Sequence, residues 1–277
     1  MTTFYPIGNF SSSSLKNATL ILPAVSLGNV PQLTTDLLIT SLGLRRIGYI
    51  GKGDTVVPFS GRGDAGEIVT GGLEVYGNEG SELYVIQQRS PTLKTKKDEH
   101  VELIRDFIIS SSFGAVLFLT SLDAANQDDA QLLTPHQRIL PPSSPSHTLI
   151  QTIEKTLPPL RLNISEEIQV QRPSNEPSSS SSPSSSSSRY PPFLPSAGLT
   201  RRLLTALQDT QIPHGAISVW CVEGDNRNDA IALAQIVLKL LNIDDHVQIQ
   251  EPESWQGLFG TVQGWSGGSG QDSELYG

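Results

Sequence analysis

The sequence predicts an α/β fold, a doubly wound sheet flanked by helices on both faces, and three observations predict it. Continuous apolar runs of strand length recur at Ala18 to Val25 (ATLILPAV), Gly114 to Thr120 (GAVLFLT) and Ala216 to Val222 (AISVWCV). A run without polar alternation suits a strand buried on both faces. Segments with apolar residues at helical spacing stand between them, and strand alternating with helix is the pattern of an α/β sheet. Glycine and proline punctuate the boundaries.

After the first run, Gln32 to Leu42 places Leu33, Leu37, Leu38 and Leu42 at helical spacing. Pro31 fits the first turn, where its missing N–H would be unpaired anyway, and Gly43 is a natural stop. Ile47 to Ile50 reads as the next strand, which closes a strand–helix–strand unit. Gly51 to Gly80 is glycine-rich, with short β-like stretches at Thr55 to Phe59 and Gly72 to Tyr76, and Glu82 to Arg89 (ELYVIQQR) is a further strand. Asp98 to Ser111 reads as a helix with Val101, Ile104, Phe107 and Ile108 on one face.

From Leu122 to Leu199 the pattern weakens. Pro141 to Pro145 breaks any element, and His147 to Leu157 forms at most a short helix. Arg172 to Ser188 is almost entirely serine and proline and cannot bury enough apolar area to offset its ordering entropy. We read it as a disordered insertion at about 172–189 within a single domain spanning 1–263, because the α/β pattern resumes beyond it. Leu199 to Leu207 is helical, and Asn228 to Leu241 is an amphipathic helix with Ile231, Ala234, Leu238 and Leu241 facing inward. The stretch 264–277 is polar and glycine-rich and reads as a flexible tail.

The bulk numbers bound the function. The chain has 277 residues, 37% of them hydrophobic, and a formal net charge of -9, with mean hydropathy -0.16 and an isoelectric point near 5.0. An acidic surface without a basic, aromatic-laced patch argues against nucleic acid as a partner. No apolar stretch is long enough to span a bilayer and no signal peptide is read, so a soluble protein of the cytoplasm is expected. The three glycosylation sequons therefore carry no weight. One cysteine, Cys221, excludes an intramolecular disulfide and makes a thiolate metal site implausible.

Apparent enzyme motifs fail on context. Gly61 to Gly66 fits G-x-G-x-x-G, but a dinucleotide site needs a helix immediately afterwards, and Glu67 to Tyr76 reads as β or loop. Gly264 to Gly268 fits the nucleophile elbow, yet no histidine follows Ser266. Glu223 to Asp229 is dense in oxygen donors but lacks the glycine and glutamate of a calcium loop; Asp225 or Asn228 as a helix cap explains it. The five histidines are scattered without metal-ligand spacing. No catalytic residue, cofactor site or metal site is expected.

The last three residues, Leu275, Tyr276 and Gly277, follow a glycine- and serine-rich tether. An apolar residue before a penultimate tyrosine arises by chance in on the order of one chain in a hundred. The terminal carboxylate and the ring could dock in a pocket of another protein, or the segment is a frayed end.

Several segments together resemble the proteasome assembly chaperone 2 family. They are Thr19 to Asp36 (TLILPAVSLGNVPQLTTD), Tyr84 to Pro91 (YVIQQRSP), Glu223-Gly224-Asp225-Asn226 with Asp229-Ala230, Ser254 to Gly257 in the manner of fungal members, and Leu275-Tyr276-Gly277. Leu122 to Leu199 departs from the pattern. The resemblance implies a non-enzymatic assembly chaperone of cytoplasm and nucleus that pairs with proteasome assembly chaperone 1. It further implies docking of the Leu275, Tyr276, Gly277 tail between α-subunits of the proteasome α-ring, promoting ring assembly and keeping activators off immature particles. It leaves open whether Pro23 to Pro31 and Glu223 to Asn228 define the fold or an interface. The rival classes are a hydrolase- or phosphorylase-like enzyme and a nucleotide-binding regulator using Gly61 to Gly66.

Overall fold

The computed structural model describes residues 3–62, 68–161, 190–243 and 246–255. The serine-rich segment and the tail, including Leu275, Tyr276 and Gly277, lie outside the described residues, as do Gly63 to Gly66 and the elbow-like Gly264 to Gly268.

Among the described residues ten strands and five α-helices follow one another: β1 (Phe4–Pro6), β2 (Thr19–Pro23), α1 (Val30–Ser41), β3 (Arg45–Ile50), β4 (Ser60–Arg62), β5 (Ile68–Gly71), β6 (Leu73–Gly77), β7 (Leu83–Gln88), α2 (Lys97–Ser111), β8 (Ala115–Asp123), β9 (His136–Ile139), α3 (Thr148–Thr156), α4 (Gly198–Leu207), β10 (His214–Cys221) and α5 (Arg227–Leu240). Eight strands form one sheet in the order β1-β3-β6-β7-β2-β8-β10-β9, and β4 and β5 pair separately. The four central strands, β7, β2, β8 and β10, are parallel, whereas β9, β6, β3 and β1 each run antiparallel to the inner neighbour.

The continuous apolar runs occupy the centre of this sheet. Every residue of β10 is buried, as are the first eight of β8. Alternate side chains feed two separate cores. Leu20, Leu22, Tyr84, Ile86, Val116 and Phe118 meet α2 and α4 on one face. Ile21, Val85, Leu117, Leu119, Ile217 and Val219 meet α1, α3 and α5 on the other. On the α2 face Phe4, Phe107, Phe113 and Tyr84 pack with ring centroids 5.5–6.4 Å apart, near the preferred spacing of tilted and edge-on aromatic pairs.

The predicted helices fall where periodicity places them, with ends shifted by one or two residues. The structure differs from the sequence reading, or adds to it, as follows. The segment Thr55 to Phe59 forms no strand; it holds one isolated bridge, Val56 to Thr92. The strand–helix–strand unit β2–α1–β3 exists, but β7 and β6 lie between its two strands. Periodicity identifies elements and is blind to which strand becomes whose neighbour. The weak stretch after Leu122 supplies an edge strand, β9, that the sequence reading did not foresee, ahead of the expected short helix α3. His147 starts α3 by accepting the Leu149 N–H through Nδ1 at 3.2 Å.

The strand entrances are packed tightly against the chain. The Gly114 N–H donates to the Ala18 carbonyl at 2.9 Å, and a Cβ at position 114 would lie 2.5 Å from the Asn17 carbonyl oxygen. Because the obstacle is backbone, Gly114→Ala is expected to cost about 1–3 kcal/mol of stability, read as a lowered urea midpoint; an unchanged midpoint would refute the close approach.

Candidate functional site

In an open α/β sheet, ligands bind outside the carboxyl ends of the strands where the winding direction reverses. Here that point lies between β2 and β8. After β2 the chain builds the β7 side of the sheet; after β7 it crosses to β8 and β10. The two loops that the family resemblance singled out, Pro23 to Pro31 and Glu223 to Asn228, both arrive here.

They fill the crevice with their own polar groups. Ser26 Oγ donates to the Ala24 carbonyl at 2.9 Å and accepts the Ser121 N–H at 2.9 Å. The Ser121 hydroxyl donates to the Leu27 carbonyl, and the Cys221 thiol donates to the same oxygen at 3.3 Å. Asn226 Nδ2 donates to the carbonyls of Val222 and Gly224, both at 3.0 Å. Gly28, at φ 67°, packs where a Cβ would stand 2.6 Å from Asn226 Nδ2 and 3.2 Å from Cys221 Sγ. Donors and acceptors that would greet a substrate are thus spent on neighbouring loops. Burial pushes the Cys221 thiol up, away from a reactive thiolate.

The helix-cap expectation is met in part. Asp225 accepts the Arg227 N–H at 3.0 Å, while Asn228 lies inside the first turn of α5. Among the described residues no group of three or more His, Cys, Asp or Glu could hold a metal ion. The glycine motif begins within β4 at Gly61, and the next described element is the strand β5, where a dinucleotide site would need a helix.

A second polar centre sits where the helices stop covering the sheet. Asp36 of α1 receives Arg89 through both terminal guanidinium nitrogens, at 2.9 and 2.7 Å, and Gln87 Nε2 at 2.7 Å. Arg89 Nε also donates to Thr70 Oγ1 at 2.8 Å. Glu74, fully buried, accepts from Arg46 at 2.7 Å, Thr70 at 2.7 Å, the Gly71 N–H at 2.9 Å and Tyr76 at 2.9 Å. Two carboxylates face two guanidiniums, so the charges compensate inside the network. Burial first, then the Glu74 carboxylate, push the Tyr76 hydroxyl up to about 12, so it stays a donor. This network ties α1, β3, β6 and the residue after β7 to the root of the β4–β5 ribbon. His100 of α2 completes that root: it is 1% exposed and its Nδ1 lies 3.0 Å from Thr55 Oγ1.

Each family segment that the structure describes therefore has a place in the body. Asp36 from the first pairs with Arg89 from the second, and Gly28 from the first packs on Asn226 from the third. The fourth supplies Trp255, 5% exposed within the α1–α5 core. The chain ahead of Trp255 is strapped to the helices by Gln250 N–H on Ser41 Oγ at 2.8 Å and by Arg227 on both oxygens of Glu251. Sequence reasoning missed Arg46, Glu74 and Thr70. Arg46 stands 28 positions from Glu74, and no short motif marks Thr70 and Glu74 four residues apart.

The fold places the molecule in a class: it is the mixed-sheet α/β architecture seen in Pyrococcus furiosus PbaA, described as an archaeal homolog of proteasome-assembly chaperone. That likeness has a TM-score of 0.56 and 14% sequence identity, and covers 83% of each chain. Within that class the chain belongs to the PAC2 family, whose model matches residues 20–243. It is 33% identical over 261 residues to proteasome assembly chaperone 2 of Danio rerio, covering 90% of this chain and 94% of that one. It is 31% identical over 275 residues to the Xenopus laevis protein of the same name, covering 93% and 97%.

Two expectations follow from the network and its root. Asp36→Ala strands the largely buried Arg89 charge and is expected to cost about 3 kcal/mol, the low end for a broken buried pair because Arg89 keeps some solvent; chemical denaturation reads the loss, and limited proteolysis should cut the 52–72 segment sooner. Burial lowers the His100 pKa from 6.5 to about 4. The folded state then binds fewer protons than the unfolded one between those values, so stability is fully present above 6.5 and is lost as pH falls from about 6.5 to about 4. The slope reaches about 1.4 kcal/mol per pH unit. Burial lowers His136, His147 and His214 as well, adding loss of the same sign. His100→Gln should flatten its share of the slope in pH-dependent urea titrations; an identical slope would place the proton uptake elsewhere.

Proposed function

We propose that the chain is a non-enzymatic proteasome assembly chaperone. In this reading it pairs with proteasome assembly chaperone 1 and docks on the α-ring of the core particle through Leu275, Tyr276 and Gly277. Occupying that ring face promotes α-ring assembly and keeps activators from engaging an immature particle; cytoplasm and nucleus are where this work takes place. The observation that supports the reading best is likeness along nearly the whole chain to relatives that carry the name proteasome assembly chaperone 2.

The body supplies a physical rationale. The switch-point crevice is occupied by Ser26, Ser121, Leu27 and Asn226, which leaves surfaces and termini for binding. Trp255 and the Arg227–Glu251 pair give the tail a fixed root on the α1–α5 face. Two tails on one dimer gain avidity, since the second docks intramolecularly. No observation favours the enzyme or nucleotide alternatives.

The test is capture of α-ring subunits by the chain co-expressed with proteasome assembly chaperone 1. Ending the chain at Glu274, or Tyr276→Ala, is expected to weaken capture by roughly tenfold or more, as for loss of an anchor residue. Pairing with the sister chaperone and thermal stability should not change. Undiminished capture by both variants would overturn the tail assignment.

A further inference from the structure

The three most exposed large apolar side chains of the described residues, Leu133 at 89% and Leu132 and Val222 at 63%, stand on one rim of the molecule. In the parallel pair β8–β10, Cys221 registers with Asp123, so Val222 and Glu223 leave the sheet beside the start of the loop that follows β8. That loop passes the end of β10 to reach β9, whose His136 lies opposite Val219. Leu132 and Leu133 are carried on it.

The loop is held firmly. Asp123 Oδ1 accepts the Ala125 N–H at 2.9 Å, and Asp128 and Gln131 exchange backbone-to-side-chain bonds, both at 3.0 Å. The Thr134 N–H donates to the Gln131 carbonyl at 3.0 Å. Gln131 is buried, with its amide on the Arg161 carbonyl. The loop thus buries a glutamine and leaves the two leucines next to it in water, the reverse of ordinary burial. Apolar side chains held rigidly in water mark an interaction surface, because their ordering cost has already been met.

The charge on this rim is of one sign. The stretches 121–135 and 219–230 hold Asp123, Asp128, Asp129, Glu223, Asp225 and Asp229. Their one basic residue, Arg227, is bound to both oxygens of Glu251. Beyond burial, the Asp229 and Asp123 carboxylates push the Cys221 thiol up, and beyond burial Asp225 does the same to Asp229. The carboxylates therefore gather at one end of the sheet.

Such a field narrows the choice of occupant. A second copy of the chain brings a formal charge of -9 and the same acidic rim. The stretches outside the described residues match it no better. The stretch 256–277 holds Asp272 and Glu274 and no basic residue, 63–67 holds Asp64 and Glu67, and 162–189 has three glutamates against two arginines. Nucleic acid and anionic membrane are repelled.

We propose that this rim, bearing Leu132, Leu133 and Val222 among Asp129, Glu223 and Asp225, docks a basic amphipathic segment of another protein. Apolar side chains of that segment pack on the leucines, and its lysines or arginines meet the carboxylates. The leucines supply the anchor, and the charges supply orientation and the rate of encounter. The inference requires neither the C-terminal tail nor the sister chaperone.

The experiment titrates the full chain, by fluorescence anisotropy, with three labelled helical peptides of equal length: lysine–leucine, lysine–serine and glutamate–leucine, each with its two residue types on opposite faces. The lysine–leucine peptide should bind most tightly and weaken as salt is raised. Leu133→Ser and Glu223→Lys should each reduce its affinity roughly fivefold or more, as for an interface anchor, with melting temperatures unchanged because both side chains are exposed. Glu79→Lys makes the same charge change on the exposed turn between β6 and β7, at the opposite rim, and should bind as the parent does. No binding by the parent would overturn the proposal. So would equal binding of the lysine–serine or glutamate–leucine peptide, which would leave only charge or only apolar contact. Equal loss in Glu79→Lys would assign binding to the overall charge and overturn it too. A dimer of the parent dissolved by Leu133→Ser would make a second copy the occupant. Each of these results leaves the proposed function standing.

Discussion

Strands β2, β8 and β10 carry no polar side, and the rest of the molecule follows from the need to cover both of their faces at once. A strand with water on one face can alternate polar and apolar residues; one without it cannot. The chain meets the constraint by winding in both directions from β2, which sets α1, α3 and α5 on one face and α2 and α4 on the other. Parallel central strands also bring all their carboxyl ends to one rim. The loops that cross that rim decide whether a cavity forms there.

In this molecule they meet one another between β2 and β8. Two serines, a cysteine and an asparagine satisfy one another and the local carbonyls, and a glycine at φ 67° allows the loops to touch. The two motif loops thus hold one another in place at this rim. A buried polar group without a partner costs on the order of 1–3 kcal/mol, so such a set is stable when complete and intolerant of partial replacement. Binding is then left to whatever the body does not use internally.

Where helices run out, the ion network takes over their role. Asp36, Arg89, Glu74 and Arg46 hold the β6–β3–β1 side in place with charge-assisted bonds where apolar packing is thin. The arrangement costs desolvation and yields specificity of position more than net stability. Its product is a rigid ribbon root, on which exposed apolar residues keep a fixed geometry. The strap that ends at Trp255 packs on the α1–α5 face and is tied to α1 through Ser41.

The sequence by itself determined the fold class, the central strands and all five helices, because burial on two faces and 3.6-residue periodicity are local signals that survive in one dimension. It also carried the family likeness and the terminal Leu275-Tyr276-Gly277 expectation, which lies outside the described residues. It did not reveal β1 and β9, short edge strands with too few residues to show a period, nor the insertion of β6 and β7 between β2 and β3. The tertiary structure alone decided the pairing of Asp36 with Arg89, the convergence on Glu74 and the meeting of Gly28 with Asn226. Asp36 and Arg89 stand 53 positions apart, Arg46 and Glu74 28, and Gly28 and Asn226 nearly two hundred. Side chains that far apart leave no spacing to read; strand order brings them together, and strand order is set by the packing of the whole sheet.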